Sequence, residues 1–289
     1  MGAQQTNHVK TFETYRPLLF SIAYRMLGSV MEAEDIVQET YLRYSNTRLD
    51  TIESPKAYLS TITTRLCLDY LKSAKVRREE YIGPWLPEPL RTDDAAVTPT
   101  DKYDMISMAA LVLLEKLSPL ERAVLLLREV FEYSYREIAL IVEKSEANCR
   151  QSYHRAKQYL NKNRPRFTSS PTDQQKLVKG FMQAIQTGDV DSLNTFLADE
   201  VTLWSDGGGK ATAARHPLVG KERITQLLLV SYRKRPASSE MELAEVNGVY
   251  SLVFRIENQV VGVMTFGSNE AGITDIWAVW NPDKLHYFH

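Results

Sequence analysis

The chain has 289 residues, 44% hydrophobic and 25% charged, with a formal net charge of −1. That length suggests about two domains, and the composition is globular rather than disordered or fibrous. No run nears the roughly 18 consecutive apolar residues of a membrane span, the N-terminal MGAQQTNHVK lacks the basic-then-apolar order of a signal peptide, and the two cysteines, Cys67 and Cys149, have neither metal nor redox spacing. A cytoplasmic chain with no metal and no cofactor is expected.

In chain order, Tyr15, Leu18, Leu19, Ile22, Ala23, Met26 and Leu27 recur at three and four, which predicts a helix that Gly28 ends. Ser29 precedes Glu32 by three, the spacing of a capping box. The helix it opens turns Ala33, Ile36, Val37 and Tyr44 inward and Glu34, Asp35, Gln38 and Glu39 outward. Ser54-Pro55, an N-cap followed by proline at the first helical position, starts a third helix that runs on through Lys72, Lys75, Arg77 and Arg78. Its apolar stripe is Tyr58, Leu59, Ile62 and Leu66. Lys56, Ser60, Thr63, Thr64, Arg65 and Lys72 lie off that stripe. Small hydroxyls with scattered cations suit a single nucleic-acid strand and its phosphates; the plainer alternative is a solvated face.

YIGPWLPEPL, residues 81–90, follows. Its prolines predict a stiff, extended spacer, but a Trp85-Leu86 pair in such a spacer is expected to dock on something. After the polar RTDDAAVTPTD, helix resumes near Lys102 with Met105, Met108, Ala109 and Val112 inward. Ser118 with Glu121, and Ser134 with Glu137, are two further capping boxes. The short helix after Ser134 contains Ile138, Ala139 and Ile141, and Ser145 can cap another over residues 146–161. Two short helices joined by a turn of three residues, the second one basic, form the helix-turn-helix pattern. Between Lys144 and Arg166 stand seven basic residues and one acid, Glu146, a candidate phosphate-facing surface. Asn148, Arg150, Gln151, His154, Arg155 and Lys157 supply donors and acceptors for base edges and cations for phosphates.

TSSP, residues 168–171, reads as a second boundary. Residues 1–166 carry 24 Lys+Arg against 22 Asp+Glu, and residues 167–289 carry 11 against 14, so the tail is the acidic part. One tail helix carries Leu177, Val178, Phe181, Met182 and Ile185, and a shorter one Val190, Leu193 and Phe196. Strand-like runs VTLW, ELAEV, VYSLVFRI, VVGVMTF and ITDIWAV follow, with Asn247-Gly248 as a tight hairpin signal. Helices followed by an antiparallel sheet predict a small α+β domain. DGGGK, residues 206–210, is a strand end followed by three conformationally free residues. Its N–H groups with Lys210 suit a carboxylate, whereas a phosphate loop would need a different spacing. Asn281-Pro282-Asp283-Lys284 follows the last strand. Were the tail an enzyme, Asp206, His216 and Asp275 are the residues that acid–base chemistry would draw on.

AEDIVQETYLRY (33–44), ESPKAYLSTITTRLCLDYLK (53–72) and the run from Leu117 to Lys157 together resemble the extracytoplasmic-function sigma factors, promoter-recognition subunits of bacterial RNA polymerase. The resemblance covers about residues 12–162. It implies a helical region two over 1–80, a linker over 81–101 and a helical region four over 102–166. It implies that Asp35, Ile36, Gln38 and Glu39 dock on the β′ coiled coil of core RNA polymerase. Ser54, Lys56, Ser60, Thr64, Arg65 and Lys72 then read the minus-ten element of promoter DNA, holding an extruded base. Asn148, Arg150, Gln151, His154, Arg155 and Lys157 read the minus-thirty-five element. Ser54 stands where many relatives have Asn, and Ser152 where many have Arg.

Residues 172–280 resemble a SnoaL-like domain, an α+β cone in which helices wrap a curved sheet around a pocket; the tail as a whole is residues 167–289. WLPEP, DGGGK and NPDKL together resemble one subgroup, sigma factors fused to such a domain and sometimes called SigJ-type. The fusion implies a regulatory rather than catalytic tail that acts through Trp85, Leu86, Pro87, Glu88, Asp206, Gly207, Gly208, Gly209, Lys210, Asn281, Pro282, Asp283 and Lys284. No separate anti-sigma protein is then needed, and a small molecule in the tail pocket is among the implied partners. Trp85 and Leu86 are expected to bury against the tail as a latch. Two other readings stand beside this one: a metabolite-converting enzyme fused to a sigma portion, and a stand-alone repressor that uses only the helix-turn-helix.

Overall fold

The computed structural model describes residues 2–48, 52–92, 106–163, 170–286 and 288. The residues fall into two units. The expected helix start near Lys102 lies outside the described residues, and helix is present from Met108.

The first unit contains α1 (Gly2–Leu27), α2 (Val30–Ser45) and α3 (Pro55–Glu79), and then α5 (Pro119–Glu129), α6 (Tyr135–Val142) and α7 (Glu146–Asn163). Phe12, Leu19, Val37, Tyr44 and Leu59 form the core of the first three helices. Gly28 turns the chain between α1 and α2 at φ 68°, and Ser29 caps α2 by accepting from the Glu32 N–H. The boxes Ser118–Glu121 and Ser134–Glu137 are both complete, each contributing about 1 kcal/mol to a helix too short to be stable alone. The turn from α6 to α7 has no glycine; Glu143 takes the left-handed conformation at φ 55° instead. Cys149, Ser152 and Ala156 on α7 are small and buried, which lets α7 pack closely on α5. Helix α6 packs on α3 in the same unit.

The second unit joins residues 80–98, residues 105–112 and residues 165–289; the linker therefore groups with the tail rather than standing alone as a spacer. Helix α4 (Met108–Glu115) begins in it. Helices α8 (Pro171–Thr187) and α9 (Val190–Phe196) precede β1 (Leu197–Asp206) and β2 (Leu218–Val219). After α10 (Lys221–Arg233) come β3 (Ser239–Val246), β4 (Val249–Ile256), β5 (Gln259–Asn269) and β6 (Gly272–Val279). The six strands are ordered β2-β1-β6-β5-β4-β3. The expected antiparallel sheet needs one correction: β1 lies parallel to β6, with Trp204 opposite Trp277. The meander β3–β6 is antiparallel throughout, its first turn made by Asn247 and Gly248 at φ 52° and 72°.

Alternation along the strands makes two apolar faces. Leu252, Phe254, Met264, Ile276 and Ala278 face α8, α9 and α10 through Val178, Phe181, Leu193, Ile224 and Leu228. Val253, Val263, Trp277 and Val279 form the other face, covered by Leu86, Met108, Ala109, Leu285 and Phe288. The linker thus supplies part of the tail's own core. It also extends the sheet by main chain: Asn247 N–H donates to the Leu90 carbonyl at 2.8 Å, and Thr92 N–H to the Glu245 carbonyl at 2.9 Å.

Candidate nucleic-acid interface and linker cluster

The middle of the polar face of α3 is buried. Ser60 is fully buried and takes a 2.9 Å hydrogen bond from Tyr133 Oη. Thr63 is paired with Thr40 at 3.1 Å, and Thr64 is buried with its hydroxyl unmatched among the described residues. Arg65 donates to the carbonyls of Ile141 and Leu140, both at 2.9 Å, and pairs with Glu143 at 3.0 Å. Those carbonyls belong to the last turn of α6, where four acceptors lack intrahelical donors and the dipole favours a cation. Lys56 stands 5.7 Å from the Tyr133 ring centroid. Ser54, which caps α3 through the Ala57 N–H, Arg65, and Lys72, paired with Asp69, are exposed. Ser60 and Thr64 are thus covered in this form of the chain, Ser60 by Tyr133 from the loop before α6.

On α2, Asp35 and Gln38 are exposed, and Glu39 is tied to Arg43 at 2.8 Å. Ile36 is buried, so it supports the helix from the core and does not form part of an outer surface. On α7, Asn148, Arg150, Gln151 and His154 are exposed. Arg155 is held by Glu121 at 2.7 Å, Lys157 by Glu129 at 2.5 Å and Arg150 by Glu146 at 3.3 Å. Hydrogen bonds from Lys157 and Tyr153 hold the Glu129 carboxyl below its ordinary range. The basic run is therefore partly neutralised from α5, a balance that local charge counting could not register. Ser152 is buried and donates to Asn148 Oδ1, so it does not present a hydroxyl outward.

In the second unit WLPEP, DGGGK and NPDKL meet around one carboxylate. Asp206, at the end of β1, is fully buried. It accepts from Tyr81 Oη at 2.6 Å, the Leu86 N–H at 2.8 Å, Lys284 Nζ at 2.7 Å and the Gly208 N–H at 3.1 Å. Lys284, only 8% exposed, also donates to the Leu86 carbonyl and lies 4.0 Å from the Trp85 ring centroid. Asn281 donates to Tyr81 Oη at 2.8 Å. Burial, followed by the neighbouring Asp206 carboxylate, raises the Tyr81 phenol, which therefore stays a donor. Gly208 has φ 56°, and a Cβ there would lie 2.3 Å from Asn281 Nδ2. Gly207 is buried and Gly209 exposed.

Leu86 is 2% exposed, Pro87 and Glu88 are buried, and Trp85 is half-buried. Lys210 does not bind a carboxylate in the glycine loop; it pairs with Asp283 of NPDKL at 2.6 Å, while Pro282 starts a short 3-10 turn. The anion of the cluster is Asp206 itself, and its cation is Lys284.

The acid–base candidates are not brought together. Asp206 is fully engaged, His216 is exposed, and Asp275, whose carboxyl burial pushes up, accepts from Thr274. None of the three lines the tail's cavity of about 550 Å³. Among the described residues no His, Cys, Asp or Glu cluster suits a metal, and no helix is long and apolar enough to cross a membrane.

Comparison with known proteins matches Sigma-70 region 2 to residues 11–77 and Sigma-70 region 4 to residues 107–160. The chain is 34% identical to the ECF RNA polymerase sigma factor SigJ of Mycobacterium tuberculosis, covering 96% of this chain and 93% of that protein. It is 29% identical to the probable ECF RNA polymerase sigma factor SigI of the same species, over 95% and 93%. The crystal structure of the M. tuberculosis SigJ superposes with a TM-score of 0.76 at 30% identity, over 96% of this chain and 98% of that one.

Proposed function

This chain belongs to the extracytoplasmic-function sigma factors, and we propose that it is a sigma factor held in check by its own C-terminal domain. As a member of that family it is a transcription initiation factor rather than an enzyme, and it binds RNA polymerase and promoter DNA. Asp35, Gln38 and Glu39 form the surface that docks on the β′ coiled coil, with Ile36 behind it. Ser54, Lys56, Ser60, Thr64, Arg65 and Lys72 read the minus-ten element. Asn148, Arg150, Gln151, His154, Arg155 and Lys157 read the minus-thirty-five element.

Two holds keep these surfaces from working. Reading the minus-ten element requires the α3 face that Tyr133 and the end of α6 occupy. Reading two separated elements also requires regions two and four to spread, and the linker between them is pinned to the tail. A contact made only in the closed form lowers activity by its differential free energy. The observation that carries this reading is the buried Asp206–Lys284 pair gripping both main-chain polar groups of Leu86. The hold lies in the same chain, so no separate anti-sigma protein is required, and the factor acts where the polymerase is, in the cytoplasm. Run-off transcription with core polymerase tests the reading: the full chain supports promoter-specific transcript, and weakening the Asp206–Lys284 grip raises it. Tight, sequence-specific DNA binding without polymerase would instead favour a stand-alone repressor.

A further inference from the structure

The helix-covered side of the tail sheet contains a cavity of about 550 Å³, within the usual range for small-molecule sites. Its wall is mostly apolar, including Ile185, Leu203, Phe254, Met264 and Trp280. Among its polar residues is Arg235, which follows α10. Its guanidinium lies 4.0 Å from the Phe254 ring centroid, 5.5 Å from that of Trp280 and 5.9 Å from that of Tyr232. It makes no ion pair and no side-chain hydrogen bond among the described residues, and no acid lines the cavity. Burial, uncompensated by a carboxylate, lowers its pKa to about 10. Lys234 borders the same space, adding to the positive potential.

The arrangement is unusual for an arginine with a purely structural role. A guanidinium taken out of water is normally matched by an acceptor, and rings match only its faces. Its edge carries N–H donors in a fork that fits a carboxylate or sulfonate. Phe254, Trp280 and Tyr232 beside it favour a planar apolar body over a small inorganic ion.

We propose that this cavity is a receptor site for an amphipathic organic anion, with an aromatic or otherwise apolar body in the cavity and its single carboxylate or sulfonate on Arg235. The site adjoins the linker cluster at two points: Ser205 precedes Asp206 on β1, and Trp280 precedes Asn281. Binding itself rests on the cavity alone and stands or falls apart from control of the linker.

Isothermal titration of the full chain with 2-naphthoate, 2-naphthalenesulfonate and the neutral 2-naphthamide tests it. Saturable one-to-one binding of both anions is expected, with the amide weaker by roughly tenfold or more, the range for a hydrogen bond to a charged group. Arg235→Gln erases the preference for the anions, whereas Asp275→Asn, outside the cavity, preserves it. Equal binding of amide and anions, an anion preference that survives Arg235→Gln, or no saturable binding of any of the three overturns the proposal. Should Arg235→Gln fail to fold, the comparison of anion with amide on the unmodified chain still decides.

Discussion

Replacing Asp206 by alanine removes the buried carboxylate that pairs with the Lys284 ammonium at 2.7 Å and takes the acceptor away from the Tyr81 hydroxyl and the Leu86 N–H. The main-chain carbonyl of residue 206, which accepts from the N–H groups of Trp280 and Asn281, is kept. Breaking a buried pair from one side costs about 3–5 kcal/mol, because the surviving charge is left without compensation. The orphaned donors are part of the same network and do not add independently. That cost shifts the attachment of the linker by roughly two to four powers of ten, yet falls below the 5–15 kcal/mol of a typical domain. Linker release with a folded tail is therefore expected. Hydrogen exchange read by mass spectrometry on peptides spanning residues 81–92 checks it: their protection falls in Asp206→Ala while peptides from β4 and β5 keep theirs. Asp206→Asn, which preserves an acceptor, gives a smaller loss. Wild-type protection of residues 81–92 in a folded Asp206→Ala chain would refute the reasoning.

Other expectations follow from single contacts. Tyr133→Phe removes the bond to Ser60, a net change of about 0.5–1.5 kcal/mol, and should speed thiol labelling of Cys67, buried near Arg122, several-fold in a Cys149→Ser background; unchanged labelling would remove Tyr133 from the hold on α3. Gly208→Ala forces a side chain into the left-handed region against Asn281 and should lower the melting temperature by several degrees, given about 1–2 kcal/mol of backbone strain. Glu129 has a folded pKa below its ordinary 4.5, so its contribution to stability is complete above that pH and is lost as pH falls through the lower folded value. Urea midpoints measured on acidification below pH 4.5 should show that loss, and Glu129→Gln should blunt it.

The features legible in the sequence were local ones. Ser118, Ser134 and Ser145 announce their helices because a cap needs only residues three apart, and Asn247-Gly248 announces its hairpin because both residues must take positive φ. The parallel pairing of β1 with β6 joins segments about seventy residues apart and leaves no short-range signature. Helix α10 was missed, although Ile224, Leu228 and Leu229 after Gly220 carry a helical spacing. The burial of polar side chains was not legible, for one physical reason. Ser60, Thr64, Asp206 and Lys284 are polar, and polarity reads as exposure unless the partner is known. Their partners, Tyr133 for Ser60 and Leu86 with Tyr81 for the charged pair, lie more than seventy residues away in sequence. Arg235 went unremarked for the same reason, since only the fold brings Phe254 and Trp280 around it.

The claim that the tail holds the factor off is tested most directly by Lys284→Met, which keeps an apolar stem and removes the cation that grips Asp206 and the Leu86 carbonyl. The measurement is promoter-specific run-off transcript at limiting factor with core polymerase, wild type and variant side by side, with linker exchange monitored on the same preparations. The account predicts more transcript from Lys284→Met than from wild type. Equal or lower transcript from a variant whose linker is demonstrably released would contradict it.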